Sequence, residues 1–250
     1  MITTLLNRSA LRRWRRTAEA ARKEGLSSLK RQATEAKKLR HQLNDVIFTA
    51  ENRLALPAIG SNAFPKPKNT DWSWRPELWR GPVPEVGVAA ADSQKKLGEE
   101  ATIFHDCRQS ELTLRQIRNK RARDLAPFGL RMDVFRFDGS FLSIALDMPR
   151  AGVTDLRKKH LIRVNTIVET EKPIEIFARL NLRHGPNTEQ IVRELPLAQE
   201  DVWVEFDLAY TNINEKRMER AWLDLIFEGP EMNMVTIRDV TFSRSPRADL

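Results

Sequence analysis

Residues 174–183 read IEIFARLNLR, an unbroken alternation in which Ile174, Ile176, Ala178, Leu180 and Leu182 are apolar and Glu175, Phe177, Arg179, Asn181 and Arg183 fill the gaps. Successive side chains of a strand point to opposite faces, so a period of two marks a β-strand with one face buried. The same pattern returns downstream. Val202, Val204, Phe206 and Leu208 face in, with Trp203, Glu205 and Asp207 between them, and Leu223 and Leu225 oppose Trp222 and Asp224. Shorter runs at 103–107, 112–117, 131–137, 140–146, 160–169, 189–195 and 234–242 complete a set of about ten strands at sandwich-like spacing. Asp138-Gly139, between the third and fourth runs, is a hairpin signal. No helical pattern separates the strands, which disfavours a parallel α/β fold. The expected fold is mainly β, an antiparallel jelly-roll β-sandwich spanning residues 99–250.

Upstream lies a different kind of chain. Between Pro57 and Pro84 fall 6 of the 13 prolines, with Trp72, Trp74 and Trp79 among them. Proline removes backbone donors and disfavours helix at the preceding residue, so residues 57–98 read as a linker that becomes an extended strap. Three indoles carry too much apolar area to stay in water, and the strap is expected to dock on the sandwich.

Residues 1–56 read as a basic helical arm. Leu5, Leu6, Ala10, Leu11, Trp14, Ala18 and Ala21 recur at helical spacing, and Ser9 is a candidate cap. Gly25 interrupts the pattern. A heptad then runs through Leu26, Leu29, Ala33, Ala36, Arg40, Leu43, Ile47, Ala50 and Leu54, with Arg40 as its misfit, so the arm carries a coiled-coil pattern. The cluster Arg12, Arg13, Trp14, Arg15 and Arg16 could meet an anionic membrane surface, the heptads could make a homo-oligomer, or the stripe could pack on its own protein.

The formal net charge of +8 resides in this arm. Residues 1–58 hold 13 Lys and Arg against 5 Asp and Glu, whereas residues 127–250 hold 17 against 20. A sandwich without a basic surplus is a poor tracker of phosphates, and nucleic acid is disfavoured as a partner. The lone Cys107 makes no internal disulfide, no Cys/His spacing suggests zinc, and no apolar run reaches the ~20 residues of a membrane-spanning helix. Neither a metal nor a cofactor is expected. Cytoplasmic residence is the default, with the arm able to place the protein at the periphery of the inner membrane.

Chemistry is sparse. The catalytic and nucleotide-binding motifs with fixed spacing are absent. His105 and Cys107 stand two apart and would share a strand face, but catalysis also needs an orienting group and an oxyanion site. His184 and Asn187 lie in the polar turn segment 183–190. If the strands around 177, 203 and 222 share a sheet, its outer face carries Phe177, Trp203 and Trp222 amid Arg179, Asn181, Arg183, Glu205, Asp207 and Asp224. Flat rings beside planar hydrogen-bonding side chains suit sugars, whose C–H faces stack while hydroxyls bond. Alternatively the strap or the arm covers that face and uses its rings as packing.

Four segments, 137–143, 178–190, 205–211 and 235–244, resemble a family of unknown function from alphaproteobacteria of the Rhodobacter group. The arrangement of 202–242 is similar to carbohydrate-binding, galactose-binding-like jelly rolls. That likeness implies a non-enzymatic binding protein with a glycan or protein partner. The competing expectations are a membrane-peripheral or structural adaptor and a cryptic hydrolase built on His184 or the His105/Cys107 pair.

Overall fold

The computed structural model describes residues 2–55, 61, 63–199 and 201–247. The chain divides into two compact units, 1–56 and 57–250.

The first unit holds helices α1 (Ile2–Ala20) and α2 (Leu26–Ala55), separated at the interruption around Gly25. Because α1 begins at Ile2, Ser9 lies inside the helix and caps nothing. Trp14, Leu29 and Leu39 are half-buried, whereas Leu11, Leu26, Leu43 and Val46 are exposed. The two helices therefore leave much of their apolar stripe uncovered. The side chains of Leu5, Leu6, Ile47 and Leu54 lie outside the described residues.

The second unit is a sandwich of two antiparallel sheets. One has strand order β11 (Asp201–Asp207), β8 (His160–Thr170), β13 (Asn233–Pro246), β6 (Phe128–Val134), β5 (Leu112–Arg118), β2 (Gly87–Ala89), with β1 (Trp72–Trp74) also on β13. The other runs β10 (Asn187–Glu194), β9 (Glu175–His184), β12 (Met218–Glu228), β7 (Leu142–Asp147), β4 (Ala101–His105), β3 (Lys96–Leu97). We call them the β13 sheet and the β12 sheet. Their inner faces are the apolar halves of the alternations: Ile176, Ala178, Leu180 and Leu182 with Leu223, Leu225 and Phe227 on one side, Ile162, Val164, Phe206, Val240 and Phe242 on the other. Each fully buried Val, Leu, Ile or Phe among them contributes roughly 1.5–3 kcal/mol.

The strap enters this core. β1 pairs with β13 from Trp72↔Arg244 to Trp74↔Phe242, and the Trp74 and Phe242 rings lie 4.9 Å apart. The short helix α3 (Glu77–Arg80) buries Leu78 and Trp79, and the Trp79 indole donates to the Ile237 carbonyl at 2.9 Å. Arg75 is fully buried and grips Asp239 with two hydrogen bonds of 2.9 and 2.8 Å at a bulge of β13. Burial pushes the Asp239 carboxyl above its ordinary value, and the Arg75 contact pulls it partly back. Gln116 of β5 completes the seam, donating to the carbonyls of Leu78 and Gly81 and accepting from Val83 N–H.

One expected pairing is overturned. β6 and β7 do not form a hairpin at Asp138-Gly139; they belong to different sheets, and the intervening segment crosses between them. The chain does bend at Gly139-Ser140, but contacts with the 106–108 loop hold it there. Asp106 accepts from the backbone N–H of Ser140 at 2.6 Å and of Phe141 at 3.3 Å, and Asp138 accepts from Arg108 N–H. A Cβ on Gly139 would come within 2.6 Å of the Asp106 carboxylate and would push it off its bonds to Ser140 and Phe141.

Candidate functional site

The outer face of the β12 sheet follows from its register. Asn181, Trp222 and Asp147 stand side by side across β9, β12 and β7, with Gln190 next to Asn181 on β10. Two residues further along each strand comes the row Arg179, Asp224, Ala145, Thr102, and beyond it Phe177, Ile226, Ser143, Phe104. At ~4.8 Å between strands, the first row is ~15 Å wide. These residues, Phe177 excepted, line a groove of about 540 Å³ together with Phe141 and Arg220.

The charged and amide side chains of the groove are braced. Asp224 is buried, and its Oδ2 accepts from Arg179 Nε at 3.0 Å, Arg179 Nη2 at 2.8 Å and Asn181 Nδ2 at 2.9 Å. Asn181 is fully buried; its Oδ1 accepts from Gln190 Nε2 at 2.8 Å, which fixes the amide's orientation and holds Gln190 over the sheet. Arg220 binds Asp147 through Nε at 3.0 Å and also through Nη2. Its guanidinium lies 5.0 Å from the Trp222 ring centroid, two residues along the same side of the strand. Rings at Trp222, Phe104 and Phe141 thus alternate with side chains whose donors and acceptors are already aimed.

The face expected from the sequence is only partly assembled. Arg179, Asn181, Trp222 and Asp224 meet in the groove, Phe177 lies on the same face outside its lining, and Arg183 is exposed beyond it, 3.3 Å from Glu219. Trp203, Glu205 and Asp207 lie on β11, in the opposite sheet. There Arg163 stacks 3.9 Å from the Trp203 centroid and reaches Glu205 at 3.3 Å, while Asp207 meets Arg247 at 3.6 Å. The three aromatic residues do not share a face, because alternation assigns inside and outside but not sheet membership. Asn187 is exposed at the start of β10.

Thr102, Phe104, Phe141, Ser143, Asp147, Gln190 and Arg220 were not anticipated as site residues. For Thr102 and Phe104 on β4 and for Ser143 and Asp147 on β7 the signal was present: each alternates with an inward apolar residue.

The histidines do not assemble a catalytic centre. His184 is not in a loop but closes β9, buried, with no partner for Nε2. His105 Nε2 lies 2.8 Å from the Ala91 carbonyl and its Nδ1 accepts from Cys107 N–H, so both ring nitrogens are engaged by backbone. Burial, joined by the charges of Asp138 and Asp106, pushes the Cys107 thiol above its ordinary value, against its use as a nucleophile. Among the described residues no group of three or more His, Cys, Asp or Glu is placed to hold a metal ion. Nor is any described helix long and apolar enough to cross a membrane. On the arm, Arg12, Arg13, Arg15 and Arg16 are exposed, with Arg13 5.4 Å from the Trp14 ring and Arg15 3.7 Å from Glu19.

Fold and groove together define an antiparallel jelly-roll sandwich with a ring-and-amide groove on one outer face. The chain belongs to the family of unknown function DUF6478, whose model matches residues 1–250. Among curated proteins none matches the sequence. Similar solved structures include the enzymatically active domain of tailspike protein 4 of bacteriophage CBA120, at 7% identity and TM-score 0.40, over 57% of this chain and 19% of that one. The chain therefore spans about a fifth of the tailspike structure. The family 11 carbohydrate-binding module of the Clostridium thermocellum cellulase Lic26A-Cel5E is similar at 8% identity and TM-score 0.39, over 63% of this chain and 94% of that one. The C-terminal family 22 carbohydrate-binding module of Clostridium thermocellum Xyn10B is similar at 8% identity and TM-score 0.37, over 75% and 100%. At TM-scores this low the likenesses carry no functional weight.

Proposed function

We propose that the protein is a non-enzymatic carbohydrate-binding protein that takes a glycan in the groove of the β12 sheet. The observation that carries this reading is the groove itself: about 540 Å³, with the rings of Trp222, Phe104 and Phe141 set among Arg179, Asn181, Gln190 and Asp224. Aromatic rings offer stacking surface to pyranose C–H faces, and the braced amides and charged groups offer hydroxyl partners without an entropy cost for ordering them. Binding is favoured over hydrolysis because both carboxylates in the groove are committed to arginines, Asp224 to Arg179 and Asp147 to Arg220, and neither stands free to act on a glycosidic bond. The test is a polysaccharide array with the wild-type chain and Trp222→Ala. Binding lost in a variant with unchanged thermal unfolding supports the reading, and a wild-type chain that binds no glycan sinks it.

The arm favours a second role, association or anchoring. Leu11, Leu26, Leu43 and Val46 are exposed on the two helices, and Arg12, Arg13, Arg15 and Arg16 accompany Leu11. Salt-sensitive sedimentation of the full chain with anionic vesicles supports anchoring at a membrane surface. A concentration-dependent rise in mass without vesicle binding supports self-association, and the absence of both results removes the role.

A further inference from the structure

We infer that the groove selects neutral, hydroxyl-dense glycans over uronate-bearing ones, and that Asp147 sets this selection by holding Arg220. The inference rests on the carbohydrate reading and concerns what that same groove accepts.

The lining holds four charged side chains, Arg179, Arg220, Asp147 and Asp224, and their charges cancel. They are also paired one to one. Arg179 spends two N–H groups on Asp224, which is buried and further tied to Asn181. Arg220 and Asp147 form the outer pair, with side chains 54% and 38% exposed. A uronate carboxylate entering the groove would therefore meet guanidinium groups that already carry a carboxylate partner. At the Nε/Nη2 edge of Arg220 it must displace Asp147, and at the remaining N–H groups it meets a guanidinium whose charge Asp147 already offsets, so in either place it loses hydration for little Coulombic gain. A neutral sugar faces no such competition. Its hydroxyls can donate to carboxylate oxygens and accept from the remaining guanidinium and amide N–H groups while both ion pairs stay intact.

The two pairs are not equivalent. Breaking Arg179–Asp224 would leave a buried carboxylate with only its Asn181 partner, whereas Asp147 can lose its charge at an exposed site without disturbing the interior. Loss of that charge leaves Arg220 uncompensated beside Trp222 and makes the groove positive by one unit. Asp147 is thus the position at which ligand charge is decided.

The test compares the full-length chain with Asp147→Asn by competition. A neutral polysaccharide found on the array is bound first, then challenged with a neutral oligosaccharide or with oligogalacturonate. Displacement is the readout because the arginines of the arm can bind uronate without touching the groove. For the wild type, the neutral oligosaccharide displaces, oligogalacturonate does not, and binding changes less than about twofold between low and high salt. In Asp147→Asn, oligogalacturonate becomes, relative to the neutral oligosaccharide, a competitor about fivefold stronger than before, in a salt-sensitive way. Oligogalacturonate that displaces equally well from wild type, or an Asp147→Asn chain unchanged toward it, overturns the inference. A wild-type chain that binds only uronate, with binding lost in Trp222→Ala, overturns it and leaves the carbohydrate reading standing. Absence of all Trp222-dependent glycan binding overturns that reading itself.

Discussion

Replacing Trp79 with alanine tests whether the proline- and tryptophan-rich strap is part of the core or merely lies on it. The Trp79 side chain is fully buried, and its indole N–H donates to the Ile237 carbonyl of β13 at 2.9 Å. Truncating a buried aromatic residue to alanine costs about 3–5 kcal/mol through lost burial and the cavity left behind. The unpaired carbonyl adds about 1 kcal/mol. Against a typical domain stability of about 5–15 kcal/mol, a loss near 5 kcal/mol leaves the sandwich marginal. At about 2–4 °C per kcal/mol for a unit of this size, the melting temperature should fall by about 10–20 °C. Tyr210→Ala is the matched control, since Tyr210 is 79% exposed and its ring meets only Arg247 among the described ring contacts. That change should cost less than about 1 kcal/mol. Thermal and urea unfolding of the full-length variants gives the comparison. A Trp79→Ala chain that melts within about 4 °C of wild type, or no lower than Tyr210→Ala, would refute the strap's place in the core.

Two further outcomes concern pH and the groove. Burial, reinforced by the Arg244 charge, holds the His160 imidazole below its ordinary value of 6.5, with Asp71 opposing in part, and its Nδ1 accepts from Arg157 N–H at 3.0 Å. The unfolded chain then binds the proton more readily than the folded one, so this residue's contribution is present above about pH 6.5 and is lost as the pH falls toward the folded value. Urea midpoints at pH 7.5 and 5.5 should show a drop for wild type that shrinks in His160→Gln; equal drops in both count against the assignment. Asn181→Ala should cost about 1–3 kcal/mol, because Gln190 Nε2 loses its acceptor and Asp224 one of its donors. The same variant should bind glycan more weakly, and wild-type stability together with wild-type binding would remove Asn181 from the bracing role.

How much of this was legible in the sequence depends on the range over which each feature is decided. Burial of Ile176, Leu180, Val204 and Leu225 follows from alternation alone, since a strand cannot present two neighbours to the same face. The break between the arm's helices at Gly25 and the docking of the strap tryptophans were equally local, the first set by backbone freedom and the second by apolar area. The hairpin at Asp138-Gly139 was misread for the opposite reason. A turn signal states that the chain reverses, whereas the partner of each strand depends on contacts such as those of Asp106 with Ser140 and Phe141 from another loop.

The candidate site shows the same division. That Trp203 and Trp222 both point outward was written in the residues on either side of each. That they point outward from opposite sheets was decided by the placement of β11 beside β8 and of β12 between β9 and β7, pairings between segments far apart in the chain. Hydrophobic period carries one bit per residue, inside or outside, because burial is all it encodes. Sheet membership, the Arg179–Asp224–Asn181 brace and the meeting of Arg220 with Asp147 needed backbone ladders between distant segments to close, and only the tertiary structure supplies them.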